Sequence, residues 1–432
     1  MPSNVIHLPR PREARDPAKP IGLFIRIGRN QHRELLHLLA EGERGFNGLI
    51  IDAPYAYRHR ELIAEARQRG FEVILDPKTQ AMATPGGHTP TLSELPWALD
   101  RPHRVDDFDG VEGRTRADQI AEFTVENKFT QILGPTRLLQ SPNDPWLRRD
   151  ISAMSLVRAS LDRLDARILL GYTLCLPIQV LRDPIQRRAM VAAITDAPFD
   201  ALWLRVENFG SDATGDKMAA YIDACRDFHP LGVPLIADHV GGLAGLGLLA
   251  FGAVSGIAHG IALLEGFKAS HWRREPRSGS GGGSGTRIYI PELDLLMKRR
   301  DAEAFLNSST RIRGRFGCRD THCCQRGLQD MLNRPARHFL HQRSRQIEGL
   351  SGVPRSLRVN HYLEEHVRRV SDEVAAVTSS SSLSESLRKR FHKKQGSISR
   401  FRQAMGHLSN SIPVGSTAIP LVQSIGRVRD QK

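Results

Sequence analysis

Cysteine is scarce: five in 432 residues, too few for a disulfide scaffold. The opening stretch, MPSNVIHLPRPREARDPAKP, lacks the apolar centre of a secretory signal. Together these absences predict a cytoplasmic protein. The longest uncharged stretch, residues 240–258, spans 19 residues but holds six glycines and breaks into two short apolar pieces. It reads as a helix plus a buried strand and not as a membrane span. No G-x-G-x-x-G follows the first predicted strand, which speaks against a dinucleotide-binding fold. Nothing resembles a P-loop, so any opening of a duplex would fall to helicase or ATPase partner proteins. Acidic residues are depleted in one region only. Residues 1–272 carry 31 Lys+Arg and 33 Asp+Glu, a net of −2. Residues 273–432 carry 30 and 14, a net of +16, which accounts for the overall +14. A nearly neutral body thus bears a basic appendage, a pattern that suggests a polyanion partner, nucleic acid above all. The bland alternative is a solvated, Arg-rich helical surface.

What is present reads as an ordinary globular chain, 40% hydrophobic and 25% charged. Apolar runs recur at 21–27, 48–53, 71–76, 130–135, 166–172, 201–206, 233–238 and 254–260. They lack strict alternation, as parallel strands covered on both faces do. Helical stretches are predicted near 30–42, 57–69, 115–127, 147–165, 183–195, 214–228, 242–252 and 261–270. Eight strand–helix units in about 250 residues are the count and size of a (β/α)8 TIM-type barrel. A doubly wound open sheet is the rival. The domain plan is an irregular arm (1–19), a barrel (20–272), a Gly/Ser linker (273–286), a zinc-binding subdomain (287–349), a basic helical region (350–410) and an irregular tail (411–432). The long connection 77–116 is predicted to be a lid or substrate loop.

Barrel chemistry gathers at the C-terminal ends of strands. Those ends supply Asp52, Asp76, Lys78, Thr136, Arg137, Tyr172, Arg205, Glu207, Asp238, His239 and His259. Asp76 ends FEVILD and Asp238 ends VPLIAD, and an acid directly after an apolar strand must be paired or used. A single such Asp is more often a cap or turn former. Paired carboxylates suit a reaction at an anomeric carbon, one attacking and one moving the leaving group's proton. They could equally hold a divalent cation. Gly241, Gly242, Leu243 and Ala244 form a turn whose backbone a flat ligand could approach, or simply a tight strand-to-helix turn. Arg205, Glu207, His239 and His259 are the remaining candidates for substrate contact. Cys318-x4-Cys323-Cys324 precedes His338 and His341 by 14 and 17 residues, counted from Cys324. Three thiolates and one imidazole make a closed structural zinc site, with His322 a poorer fourth ligand.

The barrel, the early strand-end Asp, Gly-Gly-Leu-Ala and a Cys3His element after the eighth strand resemble the tRNA-guanine transglycosylases. The resemblance is closest to the branch that inserts 7-deazaguanine bases into DNA, and it spans roughly residues 20–345. It implies that Asp76 handles a proton, that residues 241–244 recognise the base, and that Cys318, Cys323, Cys324 and His338 bind zinc. His338 is preferred because RHFL resembles the family's His-Leu helix. The two glycines that follow the first Asp in the family are absent here. The cysteine spacing departs from C-x-C-x2-C, and no Asp follows Gly-Gly-Leu-Ala inside the barrel. Asp238 therefore takes the nucleophile's place. The function implied is replacement of guanine in nucleic acid, DNA before tRNA, by a 7-deazaguanine base through a covalent Asp-glycosyl intermediate. The resemblance is compatible with a homodimer. The rival functions are a metal-dependent barrel hydrolase or lyase using Asp76, Asp238 and Glu207, and a non-catalytic barrel that binds nucleic acid.

Overall fold

The computed structural model describes residues 21–273, 286–411 and 417–421. Each of the eight apolar runs forms a strand: β1 (Gly22–Ile27), β2 (Gly48–Asp52), β3 (Glu72–Asp76), β4 (Gln131–Leu133), β5 (Leu169–Pro177), β6 (Ala201–Glu207), β7 (Leu235–Asp238) and β8 (Gly256–Gly260). They pair in parallel and in sequence order, and β8 closes on β1 through Gly22↔Gly256 and Arg26↔Gly260. The chain is a TIM-type barrel followed by a helical C-terminal region.

Strand parity sorts the apolar side chains. Phe24, Ile50, Ile74, Leu133, Trp203, Ile236 and Ala258 fill the inside of the barrel as one cluster. Residues of the opposite parity, such as Leu23, Leu49, Val73 and Leu204, pack outward against the helices in a second, larger cluster. Both faces of the sheet are therefore dry, which is why the runs do not alternate. Leu421 belongs to the inner cluster and closes the barrel at its N-terminal end. Its segment is held there by the Ala418 N–H on the Gly252 carbonyl and by the Ser255 hydroxyl on the Ile419 carbonyl.

Three local expectations change. β5 runs on to Pro177, so Tyr172 lies mid-strand rather than at a strand end. No helix follows β8. Ala262 and Leu264 take left-handed φ values of +55° and +56°, and only the short 3-10 turn Ala269–His271 forms there. The helix Pro335–Gly352, from beyond the linker, covers this gap and packs on β1 and on the helix Gly242–Ala250. Arg334, just before that helix, and Arg337 within it pair with Glu41 at 2.7 and 3.0 Å, just after the first barrel helix, His32–Ala40. Finally, much of the connection 77–116 is folded. It holds the short helices Thr79–Met82 and Pro90–Ser93, the turn Val105–Phe108 and the start of the long helix Gly110–Glu126. Trp97 within it is fully buried, and its indole N–H donates to the Pro77 carbonyl at 3.1 Å.

Beyond the barrel, β9 (Arg287–Ile290) and β10 (Leu295–Lys298) form an antiparallel hairpin. The helices Arg369–Thr378 and Glu385–Ser411 flank the Ser-rich residues 379–384. The arm 1–19, nearly all of the linker and most of the tail lie outside the described residues. Among the described residues, no helix is long and apolar enough to cross a membrane.

Candidate functional site

The parity that points Ile50, Ile74 and Ile236 inward also points Asp52, Asp76 and Asp238 inward, one layer higher at the C-terminal mouth. Register places Asp52 beside Asp76 across β2–β3, and Arg205 beside Asp238 across β6–β7. Arg26, at the same level of β1, reaches both groups. Its Nε and one terminal nitrogen donate to Asp238, each at 2.7 Å, and its other terminal nitrogen donates to Asp76 at 2.9 Å. Arg205 donates to Asp238 at 2.8 Å and to Asp76 at 2.9 Å. The Lys78 N–H and the Gln80 amide complete Asp76, at 3.0 and 3.2 Å. Lys78 Nζ also lies 3.3 Å from Asp52. Two carboxylates thus share two buried guanidinium groups, each Arg touching both.

Burial alone would raise both carboxyl pKa values. The cations outweigh it: Lys78, Arg205 and Arg26 hold Asp76 well below the usual range, and Arg26 and Arg205 do the same for Asp238. Both acids are ionised at neutral pH. Burial likewise depresses His239, despite the opposing pull of Asp238, so its ring is neutral. His239 sits just after β7 with φ +61° and stacks at a tilt on Phe267, 5.7 Å between centroids. Glu207 is buried at the end of β6 and is paired with Arg273 at 2.8 Å.

Other predicted residues lie elsewhere. His259 has the outward parity. Its ring meets the edge of Phe339 on the helix Pro335–Gly352, away from the mouth. Thr136 donates its hydroxyl to the Thr173 carbonyl at 2.5 Å. Arg137 is clamped between the rings of Phe108 (4.2 Å) and Trp146 (4.7 Å), where it anchors the folded 77–109 excursion. The Gly241–Gly242 turn is close-packed: a Cβ on Gly241 would fall 2.1 Å from a Glu265 carboxylate oxygen. Gly242 has φ +61°, and the Leu243 N–H donates to Asp294 at 2.9 Å. Fully buried Arg343 bonds Glu265 at 2.9 Å and stacks on Tyr289 at 4.7 Å. The turn is therefore clasped by residues of the appendage.

Cys318, Cys323, Cys324 and His338 come together, their ligand atoms all within 4.8 Å of one another. Cys323 Sγ lies 3.6 Å from Cys324 Sγ and 3.3 Å from His338 Nδ1. Zinc–sulfur bonds of about 2.3 Å give a tetrahedral edge near 3.8 Å, so the chemistry and the close spacing of this set suit zinc. His338 Nε2 meets the Tyr289 carbonyl at 3.0 Å, which fixes the ring with Nδ1 free to bind metal. His341 does not join the set; it pairs with Asp320 at 3.2 Å and Glu43 at 3.5 Å.

Sequence reasoning missed Arg26, Asp294 and Arg343. Arg26 carried a signal: it is the lone charge in IGLFIRI, placed as Arg205 is in ALWLRVE.

No protein-family model and no curated protein matches this chain. Among solved structures, it is similar to a protein from Burkholderia cenocepacia J2315 described as a phosphonomutase. Identity is 15%, over 56% of this chain and 88% of that one, with a TM-score of 0.33. It is also similar to orotidine 5'-monophosphate decarboxylase from Methanocaldococcus jannaschii. There identity is 12%, over 59% and 95% of the two chains, with a TM-score of 0.35. Neither is a transglycosylase, and the chain stands here as a TIM-type barrel with a Cys3His cluster able to hold a metal ion.

Proposed function

We propose that this protein is an enzyme, a base-exchange transglycosylase that replaces guanine in nucleic acid, DNA in preference to tRNA, with a 7-deazaguanine base. The observation that carries the reading is the pair Asp76 and Asp238, brought from opposite sides of the barrel to one buried mouth. A layer of paired charges is not needed to hold a barrel together; well-packed apolar side chains do so at least as well. Chemistry explains it better. Asp238 attacks C1′ of the presented nucleotide and forms a glycosyl ester as guanine departs. The incoming base then displaces Asp238, so two inversions retain configuration. Guanine leaves as its anion and takes a proton from solvent, and the incoming base then gives its proton to Asp76, which returns it to solvent, so the exchange is proton-neutral. Ionised Asp76 corresponds to the form that accepts the incoming base's proton. Asp238 must first release a bond to Arg26 or Arg205, because both its oxygens are engaged. Zinc at the Cys3His cluster would be structural, all four positions being filled by protein.

The divalent-metal alternative is disfavoured by the residues themselves, since two guanidinium groups already neutralise the carboxylates a metal would need. The test is incubation with guanine-containing single-stranded DNA or tRNA and labelled 7-deazaguanine base. Incorporation that is lost in Asp238→Asn supports the reading. No incorporation into either polymer, with folded, zinc-loaded protein, overturns it.

A further inference from the structure

A cavity of about 380 Å³ lies on the flank of the barrel's C-terminal face, apart from the carboxylate mouth. Its barrel wall is built by the loops after β6 and β8 and by Leu243 after β7. The opposite wall is the hairpin β9–β10 and the helix Glu385–Ser411. That helix carries RKRFHKK, and three of its cations, Arg390, Lys393 and Lys394, line the cavity together with Arg287 of β9.

The four cations differ in their ties. Arg390 is fixed by Asp301 at 3.2 Å and by the Leu296 carbonyl at 3.1 Å. Lys394 is fixed by the Asp294 carbonyl at 3.2 Å. Lys393 and Arg287 are exposed and have no ion-pair partner among the described residues. Three acids line the cavity: Glu265 and Asp294 share the buried Arg343, Asp294 also accepts from the Leu243 N–H, and Asp212 is exposed. With Lys393 and Arg287 open against Asp212 alone, the open charge of the cavity is still positive. Its floor is apolar, with Leu243, Ile398 and Phe401.

We infer that this cleft seats backbone phosphates of a nucleic-acid strand, with Lys393 and Arg287 as the contacting cations and Arg390 and Lys394 as fixed supports. The inference rests on the reading that the substrate is nucleic acid, and it locates where the +16 of residues 273–432 meets the catalytic body. Phosphate contacts position a strand without reading its sequence, which suits a cleft of point charges over an apolar floor.

The experiment measures binding of the full-length, zinc-loaded chain to a fluorescent single-stranded DNA oligonucleotide across a salt series. Each phosphate contact contributes about 0.7 to the slope of log K against log salt on single strands. Lys393→Gln with Arg287→Gln should weaken binding and flatten the slope by about 1.4, two contacts' worth. Lys389→Gln with Arg388→Gln, on the same helix but outside the cleft, should leave more of the slope in place. Both pairs are exposed, and an unchanged melting temperature shows that the fold is kept. If the wild type binds with a steep salt slope and the cleft variant matches it, the cleft is overturned while the nucleic-acid reading stands. If the wild type shows no salt-dependent binding, both fall.

Discussion

Arg26 is the residue on which the mouth depends, since it is the one side chain that bonds both Asp76 and Asp238 while also lying 3.6 Å from Asp52. Removing one member of a buried ion network leaves the others uncompensated, typically at 3–5 kcal/mol. Arg26→Met should therefore lose about 3–5 kcal/mol at pH 7 in urea denaturation. The pH dependence has a definite sign. Both Asp pKa values are depressed in the folded state, so their stabilisation is complete above the unfolded value near 4 and fades as pH falls below it. The gap between wild type and Arg26→Met should be widest near neutrality and narrow on acidification. A gap that is constant from pH 7 to pH 3 would refute the assigned ionisation. Arg26→Lys keeps the charge but not the planar fork, so it should recover only part of the loss. Asp76 and Asp238 were legible in the sequence because an acid closing an apolar strand stands out. Arg26 was marked only as the lone charge of its run, and the barrel's parity is needed to show that it turns inward.

At the scale of elements, the missing eighth helix is the informative departure. Residues 261–270 are apolar enough to suggest a helix, yet local backbone breaks at Ala262 and Leu264 prevent one. The place is taken by Pro335–Gly352, whose distance in sequence hides its role from any reading of local periodicity. This helix also supplies His338, so a metal held by the Cys3His cluster would be tied to the helix that closes the barrel's helical ring. Cys323→Ser should reduce bound zinc from about one per chain to almost none, measured by elemental analysis, and should lower the thermal midpoint of the whole chain. His341→Ala should keep its zinc, because His341 faces Asp320 and Glu43 instead. Loss of zinc from His341→Ala equal to that from His338→Ala would contradict the ligand set. The cysteine spacing foretold the cluster. The choice between the two histidines needed the helix, which aims His338 inward and His341 toward the barrel's first loop.

For the molecule as a whole, the eight strands and the charge asymmetry were both readable from the chain, because each is carried by many residues at once. The plug was not. Leu421 lies in a stretch with no pattern of its own, and its burial depends on the inward side chains it clusters with, Phe24, Ile236 and Ala258 among them. Leu421→Asp would place an unpaired charge in that apolar space and should lower the thermal midpoint by several degrees. An unchanged midpoint would show that the segment is not needed to close the barrel.

That plug also has a consequence for synthesis. The floor of the barrel is set by β1 and by Leu421, which follows it by nearly 400 residues. At about 5–20 residues per second, some 20–80 s separate the two. During that interval the strands can pair while the apolar lower end of the barrel stays open to water. A nascent chain in that interval is thus a barrel without a base, and chaperone contact or aggregation should concentrate at that end until translation passes Leu421.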